Sequence, residues 1–134
     1  MLDKFLKSYW EYYLDLEKQV LETKRFVEFD KANKNTYSVE YLKLYQAICS
    51  EIDVVGREIA CTKNQKFDVS NATIKKWGFE VQSQFPQIDS VEVIFNEEII
   101  LQPFKNWKYE PYTDSQGHKG LRIVDGKTTI TWWH

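Results

Sequence analysis

At 134 residues and 16.0 kDa, with 43% hydrophobic and 28% charged residues, the chain is long enough for one core and too apolar for disorder throughout. A net charge of -2 and a pI of about 5.7 give no overall electrostatic drive toward nucleic acid. Five Trp, eight Tyr and eight Phe against five Gly and three Pro favour a packed core or an aromatic interaction surface over a loop scaffold.

The first element is a predicted long helix. Leu2, Leu6, Tyr9, Tyr13, Leu16, Val20, Thr23 and Val27 step by fours and threes, which holds them on one face. Lys4, Lys7, Glu11, Asp15, Lys18 and Glu22 fill the other face. From Asp30 to Thr36 the period lapses into turn formers, so the chain reverses there. Ser38 is placed to cap a second helix, with Tyr41, Tyr45, Ile48, Ile52, Val55 and Ile59 as its stripe. Gly56 inside that stripe costs about 1 kcal/mol against alanine and points to close approach by a neighbouring backbone. These two helices make an antiparallel hairpin.

After a polar linker, Ser70 or Asn71 is the expected cap of a third helix with Ile74, Trp77, Val81 and Phe85 on one side, closed by Pro86. Beyond it the period shortens. Val91–Phe95 and Ile99–Leu101 read as one hairpin, and Leu121–Val124 with Thr128–Trp132 as another, joined by Asp125-Gly126. The stretch from Pro103 to Gly120 reads as loop with at most short strands. The expected fold class is therefore α+β, a single domain of residues 1–134 with a helical part, 1–86, and a β-hairpin appendage, 87–134.

Cys49 and Cys61 are twelve positions apart. On one straight helix that is roughly 18 Å, too far to bridge, so both are expected as free thiols in the cytoplasm. The mixed charges at Asp3 and Lys4 do not suit a signal peptide, and no apolar run approaches the ~20 residues needed to span a bilayer. No phosphate-loop, dinucleotide, nucleophile-elbow or zinc-protease motif is present, and His118 reads as part of an exposed turn. No cofactor and no metal is expected.

Two groups of side chains remain as candidate binding residues. Tyr9, Trp10 and Tyr13, with Tyr12, cover more than one helix face, so they serve either core packing or a protein surface. Glu51, Asp53, Arg57 and Glu58 interrupt the second helix, either as a solvated face or as a polar groove between helices. Trp107, Tyr109 and Tyr112, interleaved with Lys105 and Lys108, offer a lesser route to RNA by base stacking.

Tyr9 to Leu14, Phe26 to Asp30, Ser38 to Ala60, Lys76 to Phe79 and Pro103 to Trp107 together resemble HEPN-like, abortive-infection-related proteins of bacteria and phages. Ser50-Glu51-Ile52-Asp53-Val54-Val55-Gly56 is the most specific of these runs. The resemblance implies a helical hairpin completed by a C-terminal helical segment. In the ribonucleases of that family this segment carries Arg-x4-6-His, which cuts RNA without metal at a dimer interface. Arg122 and His134 are too widely spaced for that motif, so the catalytic segment is expected to be missing and no catalytic residue carries over. The expectation is then a non-catalytic interaction protein of phage or mobile-element origin acting in phage–host conflict, extending to an inhibitor of a bacterial defence system such as CRISPR. The alternative is a metal-independent HEPN-type ribonuclease or a fragment of one. The expected partner is a protein, either a defence-system component or a second copy of the chain, with RNA as a further possibility and no membrane.

Overall fold

A computed structural model describes residues 2–94, 97 and 99–124. The fold is α+β, as the sequence pattern predicts, and the described residues hold three helices and two antiparallel two-stranded sheets. Helix α1 is assembled from the consecutive stretches Leu2–Phe5, Leu6–Trp10 and Glu11–Glu22, the middle one wound as a π-helix. Helix α2 is Val39–Lys63 and α3 is Ile74–Gln84. Strands β1 (Val93–Ile94) and β2 (Ile100–Leu101) pair with each other, as do β3 (Tyr109–Thr113) and β4 (Lys119–Ile123). The sequence pattern changes at 86–87, whereas the chain divides into compact units inside α2, as Met1–Val55 and Gly56–His134.

In the first unit, Leu16 and Thr23 are buried and Val20 is partly covered, tracing one row of α1 at i, i+4, i+7. The π turn takes an extra residue into the helical repeat, so this row does not continue straight to the start of the helix. That breaks the unbroken stripe predicted from Leu2 to Val27. The helix ends where the Thr23 hydroxyl donates to the Val20 carbonyl at 2.6 Å and the N–H groups of Phe26 and Val27 both return to the Thr23 carbonyl at 3.1 Å. The predicted reversal follows. Asp30 caps a 3-10 turn over Lys31–Asn33 by accepting from the Ala32 N–H at 2.7 Å. Ser38 then caps α2 as expected, its Oγ accepting from the Tyr41 N–H at 3.1 Å. The rings of Phe26 and Tyr41 lie 6.3 Å apart at the loop end of this helical hairpin.

The second unit has the larger core. Ala60, Ala72, Trp77, Val81, Trp107 and Tyr109 are buried in it. Trp107 is only 3% exposed, meets Trp77 edge-on at 5.5 Å, and donates from Nε1 to the Tyr109 hydroxyl at 3.0 Å, so the buried indole keeps a partner. Burial raises the Tyr109 hydroxyl above the usual tyrosine pKa. Two glycines make this packing possible. A Cβ on Gly56 would stand 2.5 Å from the Trp77 ring, and one on Gly78 2.7 Å from Trp107. What closes on Gly56 is thus an indole, not the backbone expected there, because the nearest partner of α2 at that point is the large side chain of α3.

Pro86 stops α3 as predicted, with Phe85 pushed out of the helical region at φ -129° and ψ 75°. The other end differs from expectation. Thr73, not Ser70 or Asn71, is the N-cap position, because both of those side chains are committed to Asp68. The Asp68 carboxylate accepts from the Ser70 hydroxyl (2.6 Å), the Ser70 N–H (3.0 Å) and the Asn71 amide (2.9 Å). The Ser70 hydroxyl foremost, then the Asn71 amide, lowers the Asp68 pKa from 3.8 to about 2. A depressed carboxyl pKa stabilises the fold above the unfolded value near 3.8 and loses that contribution as pH falls through about 2. An NMR titration of the Asp68 side-chain carbon should therefore have its midpoint near 2, and Ser70→Ala should move it upward toward the ordinary aspartate value. An Asp68 midpoint at the ordinary value in the unmodified protein would show that these hydrogen bonds do not form.

The first β-hairpin is the predicted one, registered Val93 with Leu101 and Ile94 with Ile100; residue 95 of the predicted strand and residues 96 and 98 of the predicted turn lie outside the described residues. The second is not. Lys119–Ile123 pairs backward with Tyr109–Thr113, a short strand within the stretch expected to be mostly loop. The Asp125-Gly126 turn and the strand 128–132 lie outside the described residues. The turn between β3 and β4 is Ser115-Gln116-Gly117, in which the Gly117 N–H donates to the Asp114 carbonyl at 3.1 Å and Gly117 takes φ 85°, a left-handed geometry suited to glycine. Asp114 secures it, accepting through its carboxylate from the N–H groups of Gln116 (2.9 Å) and His118 (2.8 Å). Pro111 argues against a strand by sequence, yet it is harmless here. The pairs Lys108–Val124 and Asp114–His118 are hydrogen-bonded, so by alternation Pro111 occupies a non-hydrogen-bonded position facing Leu121. Gln82 of α3 adds its side-chain amide to this strand, donating to the Trp107 carbonyl and accepting from the Tyr109 N–H at 3.2 Å.

Candidate functional site

Tyr9, Trp10 and Tyr13 all lie in the first unit, at and just after the π turn of α1. The rings of Trp10 and Tyr13 stack at 5.1 Å with 29° between their planes. Trp10 is 50% exposed and Tyr13 47%, whereas Tyr9 is partly covered. Tyr13, placed by the sequence pattern on the inward row, therefore faces outward with Trp10. The Tyr13 hydroxyl donates to Glu17 Oε1 at 3.2 Å, and partial burial followed by this carboxylate raises its pKa above the usual tyrosine value. Leu14 and Leu21 are exposed as well. Trp10, Leu14, Glu17 and Leu21 recur at i, i+4, i+7 and i+11, so they form a second row beside the buried one. The sequence carried that spacing, but the more regular inward row drew Tyr13 to itself and left Leu14 and Leu21 unassigned.

The second candidate group is strung along α2. Glu51 and Asp53, both partly covered, belong to the first unit; burial raises the Glu51 carboxyl pKa. Arg57 and Glu58 belong to the second. Arg57 is partly covered and donates through Nη1 to the Val69 carbonyl at 3.2 Å, while Glu58 is exposed. The approach expected beside Arg57 at Gly56 is filled by Trp77. Arg57 thus braces the segment leading to α3.

Trp107 and Tyr109, two of the aromatics that offered the lesser route to RNA, are in the core and present no stacking face. Lys108 pairs with Asp89 at 2.9 Å. Tyr112 is exposed, with the Arg122 guanidinium 5.9 Å from its ring and Arg122 Nε 2.7 Å from Glu110 Oε1. His118 is in an exposed turn as predicted, its Nδ1 3.0 Å from Asp114 Oδ2. Both cysteines are free. Among the described residues, no group of three or more His, Cys, Asp or Glu is placed to hold a metal ion, and no helix is long and apolar enough to cross a membrane.

Compared with protein-family models, with curated proteins and with solved structures, the chain matches none. The outward row of α1 is consequently the arrangement on which a functional reading rests. Chemically it offers flat aromatic area, flanking aliphatic side chains and a carboxylate at Glu17. Those are the materials of a protein contact, in which Trp and Tyr act as low-entropy anchors.

Proposed function

We propose that this chain is a non-catalytic interaction protein of phage or mobile-element origin, acting in phage–host conflict by binding a component of a bacterial defence system such as CRISPR. The setting comes from the resemblance of Tyr9–Leu14 and Ser38–Ala60 to HEPN-like, abortive-infection-related proteins. The mode of action comes from one observation, the half-exposed Trp10–Tyr13 stack continued by exposed Leu14 and Leu21 on the same helix. A soluble surface gains nothing from holding such a row in water, whereas a partner that covers it gains about 25 cal/mol for each Å² of apolar area removed from solvent.

The test is a plaque assay on a bacterium with an active CRISPR system and a targeted phage. Expression of the intact chain should restore plaque formation by at least tenfold. Trp10→Ala should abolish that effect while leaving the circular dichroism spectrum and the urea midpoint unchanged, since it removes surface rather than core. Unaltered interference with the intact chain would remove the CRISPR assignment. Equal activity of Trp10→Ala would remove this face, and metal-independent RNA cleavage by the purified chain would replace the reading with the ribonuclease one.

A further inference from the structure

We infer that the Trp10–Tyr13 stack receives a guanidinium, so that the occupant of this face is an arginine-bearing segment of the partner protein. The inference rests on the reading above, that α1 is a protein-binding helix. Each ring gives one face to the other and leaves about half of its surface in solvent, which provides a flat π platform at the helix surface. A π face attracts cations, and arginine best of the side chains because its planar, weakly hydrated guanidinium stacks as well as charges.

The charge around the platform has the matching sign. Leu6–Glu22, which holds both rings, contains four acids, Glu11, Asp15, Glu17 and Glu22, and two bases, Lys7 and Lys18. Glu17 already holds the Tyr13 hydroxyl through Oε1, which fixes a carboxylate one turn beyond the stacked rings. Asp15 is held by the Gln19 amide at 2.8 Å, while Glu11, directly after Trp10, is exposed. The whole formal charge of the chain is carried by this unit, since residues 1–55 hold ten acids against eight bases and the remainder is balanced at ten of each. Phosphate-bearing partners are repelled by such a platform; a guanidinium is drawn to the ring face and to the Glu17 carboxylate together. Lysine would gain the charge term without the stacking.

Binding of fluorescent nonaarginine and nonalysine peptides to the full chain, followed by anisotropy at low salt, tests this. Nonaarginine should bind more tightly than nonalysine. Trp10→Ala should weaken nonaarginine binding by about five- to tenfold. Glu17→Gln should weaken it by about two- to threefold. Indifference to Trp10→Ala, equal affinity for the two peptides, or preference for a single-stranded oligonucleotide of similar length would overturn the inference. So would a wild-type chain that sediments as a dimer and a Trp10→Ala variant that sediments as a monomer, because the occupant would then be a second copy. Where Trp10→Ala loses its effect on plaque formation yet binds nonaarginine as the wild type does, the arginine inference fails and the protein-binding face stands.

Discussion

Alanine in place of Gly78 should lower the melting temperature of this protein, although alanine is the better helix former. In an exposed helix interior the exchange would gain about 1 kcal/mol. At Gly78 the added methyl would stand 2.7 Å from Trp107 Cζ2 and 2.8 Å from Tyr109 Cε2, inside contact distance of two buried rings. Neither ring can swing away without opening the core, and overpacking of that kind costs about 1–3 kcal/mol. The clash wins. A net loss of about 1–2 kcal/mol should appear in calorimetry as a fall of roughly 4–10 °C. Gly56→Ala, whose Cβ would meet Trp77 Cε3 at 2.5 Å, should behave in the same way. A rise in melting temperature for either variant would mean that the indoles do not lie against these helices.

Trp107→Ala should be the most damaging single truncation. The side chain is buried, touches Trp77, Phe104 and Tyr109, and gives the Tyr109 hydroxyl its donor. Removing a buried tryptophan costs about 3–5 kcal/mol through lost transfer energy and the cavity left behind. Against a typical total of about 5–15 kcal/mol, that brings the unit close to unfolding at room temperature. The urea midpoint should fall accordingly, and Trp107→Phe should lie between the two, keeping ring area but losing the Nε1 donor. Trp10→Ala, from the exposed stack, serves as the comparison and should stay within about 0.5 kcal/mol of the parent. Equal midpoints for Trp107→Ala and Trp10→Ala would contradict the assignment of one to core and the other to surface.

Helical period, caps and proline made the helices legible. Ser38 and Pro86 act where their chemistry says they should, and Val93–Ile94 pairs with Ile100–Leu101 as β-branched runs suggest. The misreadings have local causes. Ser70 and Asn71 are good helix caps, but a carboxylate two or three residues upstream competed for them and won. Ser115-Gln116-Gly117 is a weak turn signal by itself, yet Asp114 converts it into a fixed hairpin through two side-chain acceptances that no dipeptide rule counts. Pro111 is compatible with β3 because the position of a proline in the hydrogen-bond alternation is a property of the pairing and not of the residue. At the candidate site, the residue types Trp10 and Tyr13 were legible and their direction was not. Tyr13 shares the regular stretch Glu11–Glu22 with Leu16 and stands about 60° from it around the helix, at the margin of the inward row, while Trp10 closes the π turn, a backbone event with no side-chain signature in this sequence.

The side-chain amide of Gln82 has a consequence for how β3 behaves in a crowded solution. Along the strand margin turned away from β4, the Trp107 carbonyl and the Tyr109 N–H are occupied by that amide, and Pro111 has no hydrogen to give. Thr113 is left as the last outward donor of the strand. A foreign chain seeking to add itself as another ribbon would find too few docking bonds to hold on. Self-templated growth from this margin is thereby disfavoured by one glutamine and one proline.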